Sequence, residues 1–311
     1  MENRIMNSYI YSFCSGNNYL NDLIKIITKS LIDHKTTKTV YVDYNRLREE
    51  LVFYKYYGLK NEDYLYDITY VLPIILSNKN LEKSQAEVIK NISYYCKLNK
   101  EDIKKYEYMI IGISYNFLIH TLILDKDIEF NKLLQNIKEQ IIGFTFDENE
   151  EKKDIIKFER SRIKFIQKID KCIDEKIEEL REESIVDGFF RVIYQLYVKD
   201  SHENNQSLLS LKNSILGILG FQFDDLNISD LNFVKSLGNY IIKLRKYEIN
   251  KKEYNQSTHP TEFINLSVGD SIYNPILNNV TVIDKSIKED ILHIKIRSKS
   301  GEYEFKFKKT N

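Results

Sequence analysis

The pattern of apolar and polar residues changes once along the chain, after Tyr247. Up to that residue, apolar positions recur every three or four residues, which is the period of an amphipathic helix. After a polar stretch the period becomes two, and Asn, Pro, Ser and Gly residues interrupt the apolar runs, a pattern typical of strands joined by tight turns. The pattern therefore predicts an all-helical domain at 1–255, a linker at 256–262 and a small β module at 263–311.

The helical period also predicts where the individual helices lie. Pro73 should start or bend a helix, because a proline inside a helix removes a hydrogen bond. Residues 39–42 are short and β-branched and are interpreted as a connector. The predicted helices are a first one that begins within 7–14, then 21–33, 44–57, 81–95, 100–124 and 130–142, one or two within 147–183, and finally 184–197, 207–221 and 231–247.

Two of these helices are apolar enough to be buried. Residues 207–221 are apolar nearly all round and carry Gly217 and Gly220, so we expect a central helix against which a neighbouring backbone packs closely. Residues 108–124 have no charged side chain, but the run holds polar residues such as His120 and falls short of the ~20 residues that cross a bilayer. We expect a core helix here, with His120 as a hydrogen-bonded core residue.

Charge and composition exclude some classes of partner. Lys+Arg and Asp+Glu are 46 each, so the net charge is zero and no overall field attracts nucleic acid or an anionic membrane. The three cysteines, Cys14, Cys96 and Cys172, are too far apart for a metal or disulfide motif. The N-terminus has no signal-peptide pattern, and the richness in Ile, Lys, Asn and Tyr is typical of a low-GC bacterial genome. We expect a cytoplasmic protein without a membrane partner.

Four positions in the helical part carry a resemblance to a known family. Gly16 follows the first helix, Pro73 lies in an apolar run, and Gly217 and Gly220 lie three apart in an apolar helix that a short loop and a further helix follow. This order of helices and small residues resembles the ADP-ribosylglycohydrolase family over roughly residues 7–247. The resemblance implies a mainly α, orthogonal multi-helix body. The alternating segments after it are expected to form an SH3-like barrel or a strongly curved sheet.

The family holds two magnesium ions with clustered aspartates, and this chain departs from that ligand set. Asn17 stands where the family has aspartate, Tyr70 stands where it has an arginine, and Asp22 is the one carboxylate at the head of the second helix. No Asp or Glu lies between Asn204 and Phe223. Because two magnesium ions need several carboxylate oxygens, we expect no bound magnesium, no other cofactor and no catalytic residue.

The region that corresponds to the family's metal-binding cleft holds five candidate ligand-binding residues, all in the N-terminal half of the chain. The asparagine side chains can hydrogen-bond a ligand, and they equally suit a turn and a helix N-cap. The carboxylate equally suits the first turn of a helix, where the dipole favours negative charge. The candidates are Asn17, Asn18, Asn21, Asp22 and Tyr70.

Three hypotheses of function stay open on the sequence. The first is a non-catalytic, pseudoenzyme-like binding or regulatory protein, whose partner is an ADP-ribose-like small molecule or a protein. The second is an active ADP-ribosyl hydrolase with a diverged site, and magnesium is expected only for this one. The third is an adaptor that binds protein or nucleic acid through the β module, where residues 285–311 hold eight Lys/Arg against four Asp/Glu. Lysines that protect an exposed sheet edge explain the same excess, so nucleic acid is not the expected partner.

Overall fold

The computed structural model describes residues 1–58, 67–99, 104–145, 151–174, 184–198, 208–224, 226–249 and 259–308. Within them the chain forms a mainly helical body followed by a four-stranded antiparallel sheet. The α-helices are α1 (Glu2–Tyr11), α2 (Asn18–Ser30), α3 (Tyr44–Tyr57), α4 (Leu72–Ser77), α5 (Leu81–Asn99), α6 (Lys105–Leu124), α7 (Phe130–Gly143), α8 (Lys152–Ile173), α9 (Ile185–Val198), α10 (Leu209–Leu219) and α11 (Leu231–Arg245), and 3-10 helices cover Ile68–Val71 and Pro260–Asn265. The strands are β1 (Leu31–His34), β2 (Thr39–Val42), β3 (Ser271–Asn274), β4 (Asn278–Lys288), β5 (Ile291–Ser298) and β6 (Gly301–Lys308).

The helical period located most helices to within a few residues, and α3 has the predicted bounds. Pro73 lies in the first turn of α4, where its missing N–H costs no helical hydrogen bond. Helix α6 begins at Lys105, and the predicted start at residue 100 lies outside the described residues. The same holds for residues 175–183, the end of the charged run that follows α8.

The expectation that α10 is buried against a neighbouring backbone is confirmed. A Cβ atom built on Gly217 would lie 2.4 Å from the backbone nitrogen of Ser8, so α10 packs on α1 without an intervening side chain. Gly220 ends α10 in the left-handed region with φ +94°, where the absence of a Cβ removes the steric cost. Helix α6 lies deepest in the body, because α4, α5, α7, α8, α9 and α10 all pack on it.

The body is not purely helical, and the prediction of an all-helical 1–255 is wrong in one place. Strands β1 and β2 form an antiparallel hairpin in which Leu31 pairs with Val42 and His34 with Thr39. The predicted helix at 21–33 therefore ends at Ser30, and the residues interpreted as a connector are the second strand. The β-branched residues of this segment favour the extended backbone.

The C-terminal sheet has the strand order β3-β4-β5-β6 and is not closed into a barrel. The expected SH3-like barrel is thus not formed: β3 and β6 remain the two edges. Phe263 of the 3-10 helix Pro260–Asn265, the first residue of the predicted β module, is fully buried in the apolar core of the sheet. The predicted linker at 256–262 overlaps this helix at its end, and its residues 256–258 lie outside the described part of the chain.

Helix α3 joins the sheet to the body. Its residues Leu47 and Leu51 pack in the core of the body, whereas Phe53 and Tyr57 pack in the core of the sheet. Gly58, directly after α3, forms an isolated antiparallel bridge with Tyr303 of β6. The helix therefore has two apolar faces, one for each part of the molecule.

One described helix, α6, is long and apolar enough to cross a membrane by length and composition. Its most apolar window is 78% buried inside the protein. The neighbouring helices therefore cover the surface that lipid would have to contact.

Candidate functional site

The predicted asparagines lie at the start of α2. Asn17 is the N-cap, and its side chain accepts a hydrogen bond of 3.0 Å from the backbone nitrogen of Leu20. Asn21 donates from Nδ2 to the carbonyl oxygen of Phe13 at 3.3 Å, and its Oδ1 is buried without a hydrogen-bond partner. Asn18 is exposed. Asn18 is therefore the most accessible of the three asparagines, since Asn17 and Asn21 are partly buried.

Asp22 is buried one turn further along α2. Its carboxylate lies 3.4 Å from the Lys25 ammonium group, and both side chains are almost completely removed from solvent. A neighbouring set of charges joins α2 to α3: Lys29 pairs with Glu50, and Arg46 lies 3.3 Å from the same carboxylate. Burial lowers the pKa of Lys29, and the negative charge of Glu50 opposes that shift. The carboxylates in this region are therefore held by protein cations.

Tyr70, the fifth predicted residue, is in the 3-10 helix Ile68–Val71 and is 1% exposed. Its ring lies 5.0 Å from the ring of Tyr95 on α5. The hydroxyl of Tyr95 is in turn 2.8 Å from that of Tyr19 on α2. The structure thus brings Tyr70 to the same region as the start of α2, through two tyrosines that sequence reasoning did not identify.

The junction at the head of α10 was missed by sequence reasoning. Asp67, just before the 3-10 helix, accepts hydrogen bonds from the backbone nitrogen of Thr69 at 2.8 Å and from that of Leu211 on α10. Ser210 of α10 donates to the carbonyl oxygen of Ser12 at 2.7 Å. One carboxylate and one serine therefore fasten three segments that are far apart in sequence: the loop after α1, the start of the 3-10 helix and the start of α10.

Burial raises the pKa of Asp67 to about 6, against the hydrogen bonds from Thr69 and Leu211 that favour the carboxylate. Behind it, the Tyr115 hydroxyl is 2.6 Å from Ser214 Oγ, and Ser214 donates to the carbonyl oxygen of Leu211 at 2.7 Å. Burial also raises the pKa of Tyr115, and the charge of Asp67 adds to that effect. Asp67 serves two helix starts, and Tyr115 links α6 to α10 through Ser214, so the cluster acts as a structural junction.

In the sequence, only the residues directly around Asp67 indicated a part of this junction. An Asp two residues before a Thr, at the head of an apolar run, is a helix-start pattern. Asp67 and Thr69 fit it. The contact to Leu211 spans the chain, and no local pattern indicates it.

The arrangement does not fit the two magnesium ions that the resemblance implies. No group of three or more His, Cys, Asp or Glu side chains in the described ranges could hold a metal ion. Magnesium requires an octahedral shell of oxygens, whereas Asp22 has the positive charge of Lys25 at 3.4 Å. A cation at Asp22 would be repelled by that ammonium group.

His120 and the cysteines offer no nucleophile or base in this region. His120 is buried on α6, but its Nε2 has no hydrogen-bond partner, so the expected hydrogen-bonded core histidine is wrong at that atom. Burial, together with the charge of Arg245, lowers its pKa to about 4. Burial raises the pKa of the Cys14 thiol to about 11, so the thiol form dominates at neutral pH.

The outward face of the sheet carries charges of both signs. Arg297 is 2.7 Å from Glu302, and His293 Nδ1 is 2.9 Å from Glu304. Glu302 and Glu304 are two of the four carboxylates already counted against the eight Lys/Arg of 285–311, so these pairs leave that excess unchanged. In the described residues, the two pairs join the neighbouring strands β5 and β6 across the outward face.

No family model, no curated protein and no solved structure matches this chain.

Proposed function

We propose that this chain is a non-catalytic binding or regulatory protein built on a scaffold similar to that of the ADP-ribosylglycohydrolases. The observation that carries the proposal is the state of Asp22. It is the one carboxylate left at the head of the second helix, and it is buried beside the ammonium group of Lys25. A protein cation thus takes the place that a metal ion would need.

Three segments that lie at or just before helix starts meet in this structure, which supports a scaffold similar to that of the family. In the family, the metal-binding motifs head the helices that correspond to α2 and α10. Here the loop that precedes α2 and the start of α10 are joined by the bond from Ser210 to Ser12. Asp67 links the segment before Pro73 to the start of α10. The segments that would carry the metal motifs in the family are therefore adjacent here. Ser210 and Asp67 fill their junction with hydrogen bonds to the protein backbone.

The ligand that this reading favours is an ADP-ribose-like small molecule at the start of α2. Asn18 is exposed there and Asn17 is half-buried, whereas Asp22 and Tyr70 are 4% and 1% exposed. We therefore assign direct contact to the asparagines and a supporting role to the other two residues. The alternative of an active hydrolase lacks an available carboxylate at this place.

Calorimetric titration with ADP-ribose, together with a hydrolysis assay on ADP-ribosylated protein, tests the proposal. We expect binding without turnover. Asn18→Ala should weaken binding, whereas Asn232→Ala, a matched exposed asparagine at the start of α11, should leave it unchanged. Turnover would establish the hydrolase alternative, and absence of both binding and turnover would refute the small-molecule ligand and favour a protein partner.

A further inference from the structure

One side of α3 lies against α2 and the sheet and combines aromatic and charged residues. Arg46, Glu50, Phe53 and Tyr57 follow one another at intervals of four, three and four residues, which places them on one helical face. The rings of Phe53 and Tyr57 lie 6.2 and 4.6 Å from the ring of Phe305 on β6. The sheet thus docks on α3 through two aromatic side chains.

The charged part of this face belongs to a buried cluster. Lys29 and Arg46 both pair with Glu50, and Asp22 pairs with Lys25. Each of these five side chains is almost completely withdrawn from solvent. Taking so many charges out of water carries a large desolvation cost, which ion pairing offsets only in part. Water that reached the cluster would therefore stabilise it.

Strand β6 lies over this cluster. Its residue Tyr303 is buried and bridges to Gly58 at the end of α3. Burial raises the pKa of Tyr303, and the negative charges of Glu50 and Asp22 raise it further. The bridge to Gly58 thus places Tyr303 beside the end of α3, where the charges of Glu50 and Asp22 act on it.

We propose that the C-terminal sheet is a reversible lid over the charge cluster of α2 and α3. The sheet has an apolar core of its own, to which the body contributes Phe53 and Tyr57. Undocking removes the apolar contacts of these two rings and lets water reach the five charged side chains. The free energy lost with the ring contacts is therefore partly offset by the hydration of the charges. The core around α6 keeps its packing when the sheet undocks. The lid therefore opens at a lower free energy than global unfolding, and the turns of α2 and α3 that it uncovers open with it as one cooperative unit.

Native-state hydrogen exchange of the full-length chain, read by mass spectrometry, tests the lid. Phe53→Ala removes a docking ring, so amides of α2 and α3 should exchange about tenfold faster or more. Those of α6 should keep their wild-type rates. The matched control is Phe165→Ala on α8, another fully buried phenylalanine, which should leave the exchange of α2 and α3 unchanged. Equal acceleration in α6, or none in α2 and α3, would overturn the proposal.

A second pair of variants tests the role of the charges. Glu50→Gln leaves Lys29 and Arg46 without their carboxylate in the closed state, whereas water stabilises both cations in the open state. The open state should therefore be more populated, and the amides of α2 and α3 should exchange faster. The triple change Lys29→Met, Arg46→Met and Glu50→Leu removes together the three charges that meet at Glu50, and buried ions replaced as a set by apolar groups often leave stability unchanged. We expect exchange at or below the wild-type rate. Exchange as fast as in Glu50→Gln would contradict the proposal, and neither result depends on whether ADP-ribose binds.

Discussion

At the scale of single residues, Asp67 shows how a buried carboxylate can serve as a structural joint. It accepts from two backbone nitrogens, of Thr69 and of Leu211, that the starts of two helices would otherwise leave without partners. Its ionised form is stabilised by these donors and destabilised by burial. Burial has the larger effect, because the pKa rises to about 6.

This shift predicts how Asp67→Asn changes the pH dependence of stability. The folded chain holds the proton more tightly than the unfolded chain, whose pKa is 3.8. The contribution of Asp67 to the free energy of unfolding is therefore complete below pH 3.8 and is lost as the pH rises through 6. Between pH 5 and pH 8 the wild-type chain should lose about 1 kcal/mol relative to Asp67→Asn. Urea unfolding at both pH values measures this, and identical changes in the two proteins would contradict it.

His120 predicts a shift of the opposite sign. Its pKa is lowered to about 4 by burial and by Arg245, while an unfolded histidine titrates near 6.5. Its contribution is complete above pH 6.5 and is lost as the pH falls toward 4. Between pH 7.5 and pH 5 the wild-type chain should lose about 2 kcal/mol more than His120→Gln. Thermal or urea unfolding of both proteins provides the comparison, and a variant as acid-sensitive as the wild type would exclude His120 as the cause.

At the scale of elements, the contact between α1 and α10 depends on a glycine. A Cβ on Gly217 would lie 2.4 Å from the nitrogen and 2.5 Å from the Cα of Ser8. Both are backbone atoms, so they cannot move out of the way as a side chain can. The two helices must separate if residue 217 carries a side chain.

We therefore expect Gly217→Ala to lower the free energy of unfolding by about 1–3 kcal/mol, and Gly217→Leu to lower it more. Gly143→Ala at the end of α7 is the control, since a Cβ there meets no atom within 4 Å. Alanine has the higher helix propensity, so this control should be neutral or slightly stabilising. Chemical denaturation of the variants separates the two cases, and a Gly217→Ala protein as stable as the wild type would refute the close contact.

Elements with a long, regular period were predictable, and those set by distant contacts were not. The bounds of α3 and the close packing at Gly217 follow from helical spacing and from the glycine itself. The β1–β2 hairpin was missed because four-residue strands carry too little alternation to compete with the helical pattern that precedes them. The junction at Asp67 was missed because its partner, Leu211, is distant in sequence. Burial of Asp22 and Tyr70 was not predictable either, since the residues near them, such as Tyr303 of β6 for Asp22 and Tyr95 of α5 for Tyr70, are distant in sequence.

At the scale of the whole molecule, a helical body and an open antiparallel sheet share one helix, α3. The change of period after Tyr247 predicted both parts. It did not predict that Phe53 and Tyr57 of α3 would pack in the core of the sheet. A unit of about 50 residues is marginal as an independent core, which accounts for the shared helix.

We propose that the head of α2 binds no pair of magnesium ions, and calorimetric titration of the purified chain with magnesium is the decisive measurement. We expect no stoichiometric binding, because the Asp22 carboxylate is held by Lys25 and no further cluster of ligands lies in the described ranges. Stoichiometric binding of two ions, lost in Asp22→Ala, would contradict it.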